Sequence, residues 1–160
     1  LLDLDEYAVR TGEASYLELA DVLRQYARDF EGDGRELFRR MVFNILIGNT
    51  DDHARNHACF WDGTALDLTP GYDICPLPRL GHSADLAMVV GHQGRAATLN
   101  NALSQAERFG LSEHEAAECV DAMKQIVEAH WKELFSAAGM EAGDIEYLAK
   151  ATILSPSIFD

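Results

Sequence analysis

The sequence feature that most constrains the fold is a short hairpin signal with a polar loop on either side of it. Residues 57–61 and 64–69 contain β-forming side chains and flank Asp62-Gly63, a dipeptide typical of two-residue hairpin turns. A two-residue turn pairs Asn56 with Thr69. The polar loops before and after the hairpin are therefore predicted to leave the same end of it.

These two loops carry three oxygen-bearing side chains, Asp51 and Asn56 in the first and Asp73 in the second. Such oxygens suit a hard cation such as Mg²⁺, which binds one or two carboxylates together with substrate phosphates. In kinase-type phosphoryl transfer, one aspartate accepts the proton of the substrate hydroxyl, while an asparagine and a second aspartate bind metal. The spacing of the three residues predicts this chemistry.

The remainder of the sequence favours helices. Ser15 is a candidate N-cap for a first helix that reaches about Phe30, and Gly32-Asp33-Gly34 breaks the pattern before a second helix. Gly48 is a plausible end for that second helix. The predicted fold class is mainly α, a helical bundle with one small β-hairpin. Its later helices are predicted at Arg35–Ile47, Asn101–Phe109, Ser112–Phe135 and Ile145–Ile153.

Composition excludes several classes of function. The chain of 160 residues has a formal net charge of −14, which counts against direct nucleic-acid binding and against anionic membranes, because both require lysine and arginine. Its three cysteines lack paired spacing, which is typical of a reducing compartment. No apolar run is long enough to span a membrane. We therefore expect a cytoplasmic protein.

Two stretches of this sequence resemble the HipA-like kinase family, the kinase subunits of bacterial HipA/HipB toxin–antitoxin systems. They are residues 43–56, FNILIGNTDDHARN, and residues 68–76, LTPGYDICP. Residues 86–91 and 106–111 are also similar to the C-terminal part of that family. The resemblance extends over about residues 15–135 and implies a Ser/Thr protein kinase fold that uses ATP and Mg²⁺.

The resemblance also implies roles for individual residues. Asp51 would be the catalytic base, and Asn56 and Asp73 would be metal ligands. His53 would lie near the transferred phosphate, with a catalytic and nucleotide-binding role. Arg55 would also contact the nucleotide, at a position where many relatives carry lysine. A HipB-like antitoxin and a protein substrate are the partners that the family implies.

The distribution of lysine limits what this chain can do alone. Its lysines are Lys124, Lys132 and Lys150, so no lysine precedes Asp51 to pair with nucleotide phosphates. The sequence therefore resembles only the C-terminal lobe of the kinase, with the N-terminal kinase lobe as a missing partner. We expect the chain by itself to be inactive or nearly so. The predicted organisation is a lead-in segment at 1–14, the kinase-like C-terminal domain at 15–155 and a tail at 156–160.

Two alternative functions remain open. The chain could be a non-catalytic interaction module that binds an antitoxin-like DNA-binding partner, since an acidic surface suits a basic partner. It could also be a metal-dependent hydrolase that uses the same acidic cluster. A zinc site at His53 and His57 is disfavoured, because the glutamate of the helical His-Glu-x-x-His motif is replaced by Ala54.

Several side chains also have simple structural interpretations. Asp52 is expected to be a solvated or supporting residue rather than a catalytic one. Phe60 and Trp61 are predicted to pack into the core from the hairpin. Arg39 and Arg40 are predicted to lie on a surface face of the second helix.

Overall fold

The structure is a computed structural model that describes residues 14–78 and 83–160. Five α-helices and one two-stranded antiparallel sheet are found in these residues. The predicted lead-in segment therefore lies almost wholly outside the described residues. The helices are α1 (Tyr16–Tyr26), α2 (Phe30–Ile47), α3 (Leu99–Leu103), α4 (Glu113–Ala137) and α5 (Ala142–Ala151), the strands are β1 (Cys59–Trp61) and β2 (Leu66–Leu68), and 3-10 turns lie at Ala54–Asn56, Ala106–Phe109 and Pro156–Phe159.

The start of α1 follows from a local rule and agrees with the prediction. Ser15 is extended, with φ −136°, and its Oγ accepts a hydrogen bond from the N–H of Leu17 at 3.1 Å. This contact satisfies one of the free N–H groups at the helix start. The helix then buries Tyr16, Ala20 and Leu23, a helical spacing that directs one face towards the core.

The predicted start of the second helix at Arg35 is wrong. The helix begins at Phe30, and Asp29 is its N-cap, accepting from the N–H of Gly32 at 3.1 Å. The expected break at Gly32-Asp33-Gly34 lies inside the helix. A glycine at position 34 has a packing reason, because a Cβ there would stand 2.5 Å from the backbone carbonyl oxygen of Phe109.

The hairpin is present, but its predicted register is wrong. Cys59 pairs with Leu68 and Trp61 pairs with Leu66, so the turn is longer than two residues. The physical reason lies in Asp62, whose Oδ1 accepts hydrogen bonds from the N–H groups of Thr64 at 2.8 Å and Ala65 at 3.0 Å. Side-chain capping of this kind stabilises a wider turn in place of a tight hairpin turn.

The two aromatic residues of β1 do not pack into the core, contrary to the prediction. Phe60 is 63% exposed and Trp61 is 59% exposed. The ribbon projects from the helices and buries chiefly Leu66 of β2. Strand-forming residues therefore predicted the hairpin correctly but not its burial, because burial requires a covering layer that the described residues do not provide.

The C-terminal helices are largely as predicted. At the start of α4 the Ser112 hydroxyl and the Glu115 carboxylate form a complete capping box. Trp131 is buried, and its ring packs edge-on against Phe135 with centroids 5.9 Å apart. The single helix predicted over 101–109 is instead divided into α3 and the 3-10 turn Ala106–Phe109.

The centre of the core is α2, which packs against α1, α3, α4 and the 3-10 turn Ala106–Phe109. The apolar run at 86–90 crosses the start of α1, where the N–H of Tyr16 donates to the carbonyl of Val89 at 3.1 Å. Ile158, near the C-terminus, is also fully buried. Among the described helices, none combines the length and the apolar character needed to cross a membrane.

Candidate functional site

The first candidate loop begins where α2 ends. Gly48 has φ 73° and ψ 29°, a left-handed conformation that glycine adopts without steric cost, and it terminates the helix as predicted. Two consecutive aspartates then occupy different environments. Asp51 is exposed, whereas Asp52 is only 2% exposed. Solvent can therefore reach the carboxylate of Asp51 but not that of Asp52.

Three side chains hold the buried carboxylate of Asp52. Its Oδ2 accepts hydrogen bonds from the hydroxyl of Tyr16 and, at 2.6 Å, from Nδ2 of Asn44. The same oxygen lies 3.0 Å from Nε2 of His57. A buried charge requires such partners, because an unpaired one is strongly unfavourable. Of the two interpretations predicted for Asp52, the supporting one is confirmed and the solvated one is wrong.

Tyr16 connects the start of α1 to this network. Burial, and then the neighbouring Asp52 carboxylate, raise the pKa of Tyr16 well above its usual range, so the hydroxyl remains protonated and donates. The tyrosine ring also packs edge-on against the ring of His57, with centroids 5.6 Å apart. Tyr16 therefore fixes two residues of the loop region at once.

Asn44, near the end of α2, holds the beginning of the loop. Its Oδ1 accepts a hydrogen bond from Nδ2 of Asn49 at 3.0 Å, and its backbone carbonyl accepts from the N–H of Asn49 at 2.9 Å. Because its Nδ2 donates to Asp52, both ends of the Asn44 amide have partners and its orientation is determined.

The 3-10 turn Ala54–Asn56 carries the remaining candidate residues of the first loop. It is closed by a hydrogen bond from the N–H of Asn56 to the carbonyl of His53, at 2.8 Å. Asn56 is buried, His53 is half-buried and Arg55 is exposed. The ring nitrogen Nδ1 of His53 is buried and lacks a hydrogen-bond partner within the described ranges.

Two hydrogen bonds join the second candidate loop to the first. The hydroxyl of Tyr72 donates to the backbone carbonyl of Arg55 at 2.7 Å, and the N–H of Leu77 donates to the carbonyl of Gly48 at 3.3 Å. The loop that contains Asp73 therefore contacts the loop that contains the other candidate residues. The two loops leave the same end of the hairpin, as its sequence predicts, although the register differs.

Arg40 fixes the point where the chain leaves β2. Its predicted place on a surface face is wrong, since it is only 6% exposed. Its guanidinium donates to the backbone carbonyl of Thr69 and, through Nε, to Oε1 of Glu36 at 3.0 Å. The cause is the position of α2, which lies directly beneath the hairpin exit.

Asp73 has an unusual backbone conformation. Its φ is 57°, in the left-handed region that few residues other than glycine adopt, although aspartate and asparagine tolerate it better than most. Its side chain is exposed. Such conformations are concentrated at functional sites, where the surrounding structure maintains them.

The candidate side chains of the two loops carry oxygen donors of the kind that hard cations bind. Across the described residues, no group of three or more His, Cys, Asp or Glu side chains is arranged to hold a metal ion. Asp51, Asn56 and Asp73 offer two carboxylates and one amide, all oxygen donors. This set suits Mg²⁺ completed by substrate phosphates, and does not suit a cage formed by protein alone.

Sequence reasoning missed the residues that hold the site. The network around Asp52 includes Asn44, Asn49 and His57, which are near it in sequence, and Tyr16, which is distant. One signal could have revealed part of it: Asn44 is a lone amide within an apolar helical stretch. A buried polar side chain in such a position almost always has a partner.

Comparison with known proteins places these features in a family. The family model described as the HipA-like C-terminal domain matches residues 1–131. A protein of Haemophilus influenzae named "Putative kinase" is 32% identical over 78 residues, which are 46% of this chain and 23% of that protein. The chain therefore spans less than a quarter of the length of this relative. Because the family model covers most of the sequence, the chain belongs to the HipA-like C-terminal domain family.

Proposed function

We propose that the chain supplies the C-terminal, phosphoryl-transfer half of an ATP-dependent Ser/Thr protein kinase. The observation that carries the proposal is the contact between the two loops, made by the hydrogen bonds from Tyr72 to Arg55 and from Leu77 to Gly48. These bonds bring two segments together in a chain that belongs to the HipA-like C-terminal domain family and is similar to a protein named "Putative kinase". Each segment carries one exposed carboxylate.

The proposed roles follow from exposure and donor chemistry. Asp51 is exposed and would accept the proton of the substrate hydroxyl, which is general base catalysis. Asn56 and Asp73 would hold Mg²⁺, and His53 and Arg55 would lie beside the nucleotide phosphates. When bound, the metal ion neutralises charge that develops on the transferred phosphoryl group.

Positioning is the main contribution that this chain would make. Phosphoryl transfer depends on the placement of groups and on charge stabilisation rather than on covalent chemistry by the protein. The burial of Asn56, the hydrogen bond of its backbone N–H to His53 and the anchored turn beside Asp51 provide such placement. Asp73 combines a left-handed backbone with an exposed side chain, so its carboxylate is accessible to a metal ion from solvent.

The nucleotide would also need groups from elsewhere. No lysine precedes Lys124 in this sequence, so the phosphate-pairing lysine of a kinase would come from an N-terminal kinase lobe. We propose that this lobe, a HipB-like antitoxin and a protein substrate are the partners of the domain. We expect little or no transfer by the 160-residue chain in the absence of the N-terminal lobe.

The test compares Asp51→Asn with a matched control in the full-length protein that contains this chain. Asp121, an exposed aspartate on α4, provides the control variant Asp121→Asn. Transfer of labelled phosphate from ATP to protein is measured with Mg²⁺ present. Loss of a general base lowers the rate by about 10²–10⁴-fold, and the control should retain the parental rate. Undiminished transfer by Asp51→Asn would refute the assignment.

One observation favours a second role, that of an interaction module for an antitoxin-like DNA-binding partner. Phe60 and Trp61 are 63% and 59% exposed on the projecting hairpin, and exposed aromatic residues are common at protein interfaces. Co-purification with the co-expressed antitoxin tests this role. Binding that is lost in a Phe60→Ser, Trp61→Ser double variant, but retained in Asp51→Asn, would support it. Binding by both variants would exclude the two aromatic residues as the contact surface, and absence of binding by the parental chain would count against the role.

A further inference from the structure

The buried carboxylate of Asp52 takes no part in the proposed chemistry, yet three side chains form hydrogen bonds to it. One oxygen, Oδ2, receives the Tyr16 hydroxyl, the Asn44 amide and the His57 ring nitrogen. These partners belong to the start of α1, to α2 and to the segment that precedes β1. One atom therefore joins the middle of the loop to α1, to α2 and to the end of the loop itself.

The hydrogen-bonded Asp52 carboxylate, called the anchor below, lies next in sequence to the proposed base. It lies between Asp51 and His53, so the burial of its side chain determines the direction of its neighbours. Asp51 is exposed on one side while Asp52 is buried on the other. A backbone rotation that turned Asp51 towards the interior would also move Asp52, and would strain its contacts to three partners.

The anchor is reinforced at both ends of the loop. At its beginning, Asn49 bonds to the side chain and the backbone of Asn44. At its end, Nε2 of His57 faces Asp52. Because a carboxylate only accepts hydrogen bonds, this contact assigns the ring proton to Nε2. The segment from Asn49 to His57 is thus held at its beginning, middle and end.

A purely structural role explains this arrangement less well. Burying a charged carboxylate costs desolvation energy, and an apolar side chain of similar volume often stabilises a fold at least as well. The carboxylate instead confers a directional constraint at the residue next to the proposed base. We propose that Asp52, together with Tyr16, Asn44 and His57, is a positioning residue that holds Asp51 in its reactive orientation. This inference rests on the proposed function.

The experiment uses the full-length protein with the variants Asp52→Ala, Asp52→Asn and Tyr16→Phe. A misplacement of about 1 Å can cost 10²-fold in rate, so Asp52→Ala should lower kcat by about that factor with little change in KM for ATP. Asp52→Asn should restore part of kcat, since an amide oxygen still accepts hydrogen bonds. Tyr16→Phe should give a smaller loss, because it removes one of three donors.

Asn101 provides the matched control for a merely structural effect. It is fully buried and its amide donates to the carbonyls of Gly94 at 3.0 Å and Ala96 at 2.9 Å. Asn101→Ala should therefore lower Tm while kcat, measured where every variant is folded, stays at the parental value. If Asp52→Ala and Tyr16→Phe also keep the parental kcat, the positioning role is refuted. Should Asp52→Ala fail to fold, Tyr16→Phe decides the question.

A second measurement separates this inference from the proposed function. Hydrogen exchange of the backbone amides over residues 49–57 should become faster in Asp52→Ala and Tyr16→Phe, and remain unchanged in Asn101→Ala. If the parental protein transfers no phosphate, or if Asp51→Asn is fully active, the kinase assignment fails. Faster exchange would still support the anchor in that case. Parental exchange in both anchor variants would refute it.

Discussion

The backbone at Asp73 leads to a prediction that separates stability from activity. Its φ of 57° places a Cβ where it costs an ordinary L-residue about 1–2 kcal/mol. At regular positions, alanine is more stable than glycine by about 0.5–1 kcal/mol, because glycine loses more backbone entropy on folding. The stability order of alanine and glycine should therefore be reversed at position 73.

The magnitude follows from the difference between these two effects. We expect Asp73→Gly to be more stable than Asp73→Ala by about 1 kcal/mol, which corresponds to about 2–4 °C in Tm for a chain of this size. Because the side chain is exposed, no loss of burial obscures the comparison. Calorimetry of the two variants measures the difference directly.

A control pair and an activity measurement complete the test. Glu128, exposed on α4, should show the ordinary order, with Glu128→Ala more stable than Glu128→Gly by about 1 kcal/mol. In the full-length protein both Asp73 variants should lose Mg²⁺-dependent phosphate transfer. An alanine variant at 73 as stable as the glycine variant would refute the left-handed conformation. Retained transfer would refute the role of Asp73 as a metal ligand.

Two further predictions concern the scaffold. Hydrogen bonds from the backbone N–H and hydroxyl of Ser112 lower the pKa of Glu115 from 4.5 to about 2, so its stabilising contribution is present above pH 4.5 and is lost as pH falls towards 2. The Tm difference between the parental chain and Glu115→Gln should accordingly shrink over that interval, and a constant difference would contradict this linkage. The second prediction concerns Gly34→Ala, which gains about 1 kcal/mol of helix propensity. The added Cβ would stand 2.5 Å from the carbonyl oxygen of Phe109, and such a clash costs about 1–3 kcal/mol. We expect a net loss of Tm there and none for Gly143→Ala, where no atom lies within 4 Å of the added Cβ; equal effects would argue against the close approach.

The parts of the fold that sequence predicted correctly are those decided by local chemistry. Ser15 and Ser112 cap helices because their hydroxyls reach N–H groups two or three residues away. Gly48 ends α2 because the required left-handed conformation suits glycine. Each outcome depends on a few consecutive residues, and for that reason a single sequence contains enough information to predict it.

The errors arose where distant contacts decide the outcome. Glycine is a helix breaker by propensity, yet Gly34 lies within α2. A residue without a Cβ is needed there, because the backbone of Phe109 approaches it closely. The hairpin register depends partly on Arg28, which pairs with Asp62 in the turn and with Asp67 of β2. No local pattern in the sequence indicates that a residue preceding α2 will pair with the hairpin.

The candidate site shows the same difference between features decided by local sequence and features decided by distant contacts. Their spacing predicts Asp51, Asn56 and Asp73 as candidate residues, whereas the neighbours of Asp52 predict only a solvated or supporting side chain. Its burial results from Tyr16, far earlier in the chain, and from α2. The residues proposed to react can thus be found from a motif, whereas the residues that hold them become visible only in the fold.

The scaffold gives α2 a specific role in relating the two loops. Asn44 holds the first loop through Asn49 and Asp52, and Arg40 holds the hairpin exit through the carbonyl of Thr69. Residues four positions apart lie on the same face of a helix, one turn from each other. A single turn of α2 therefore determines the separation of the two loops, and with it the distance over which the proposed base and the proposed metal ligand must cooperate. A distortion of that turn would displace both loops together.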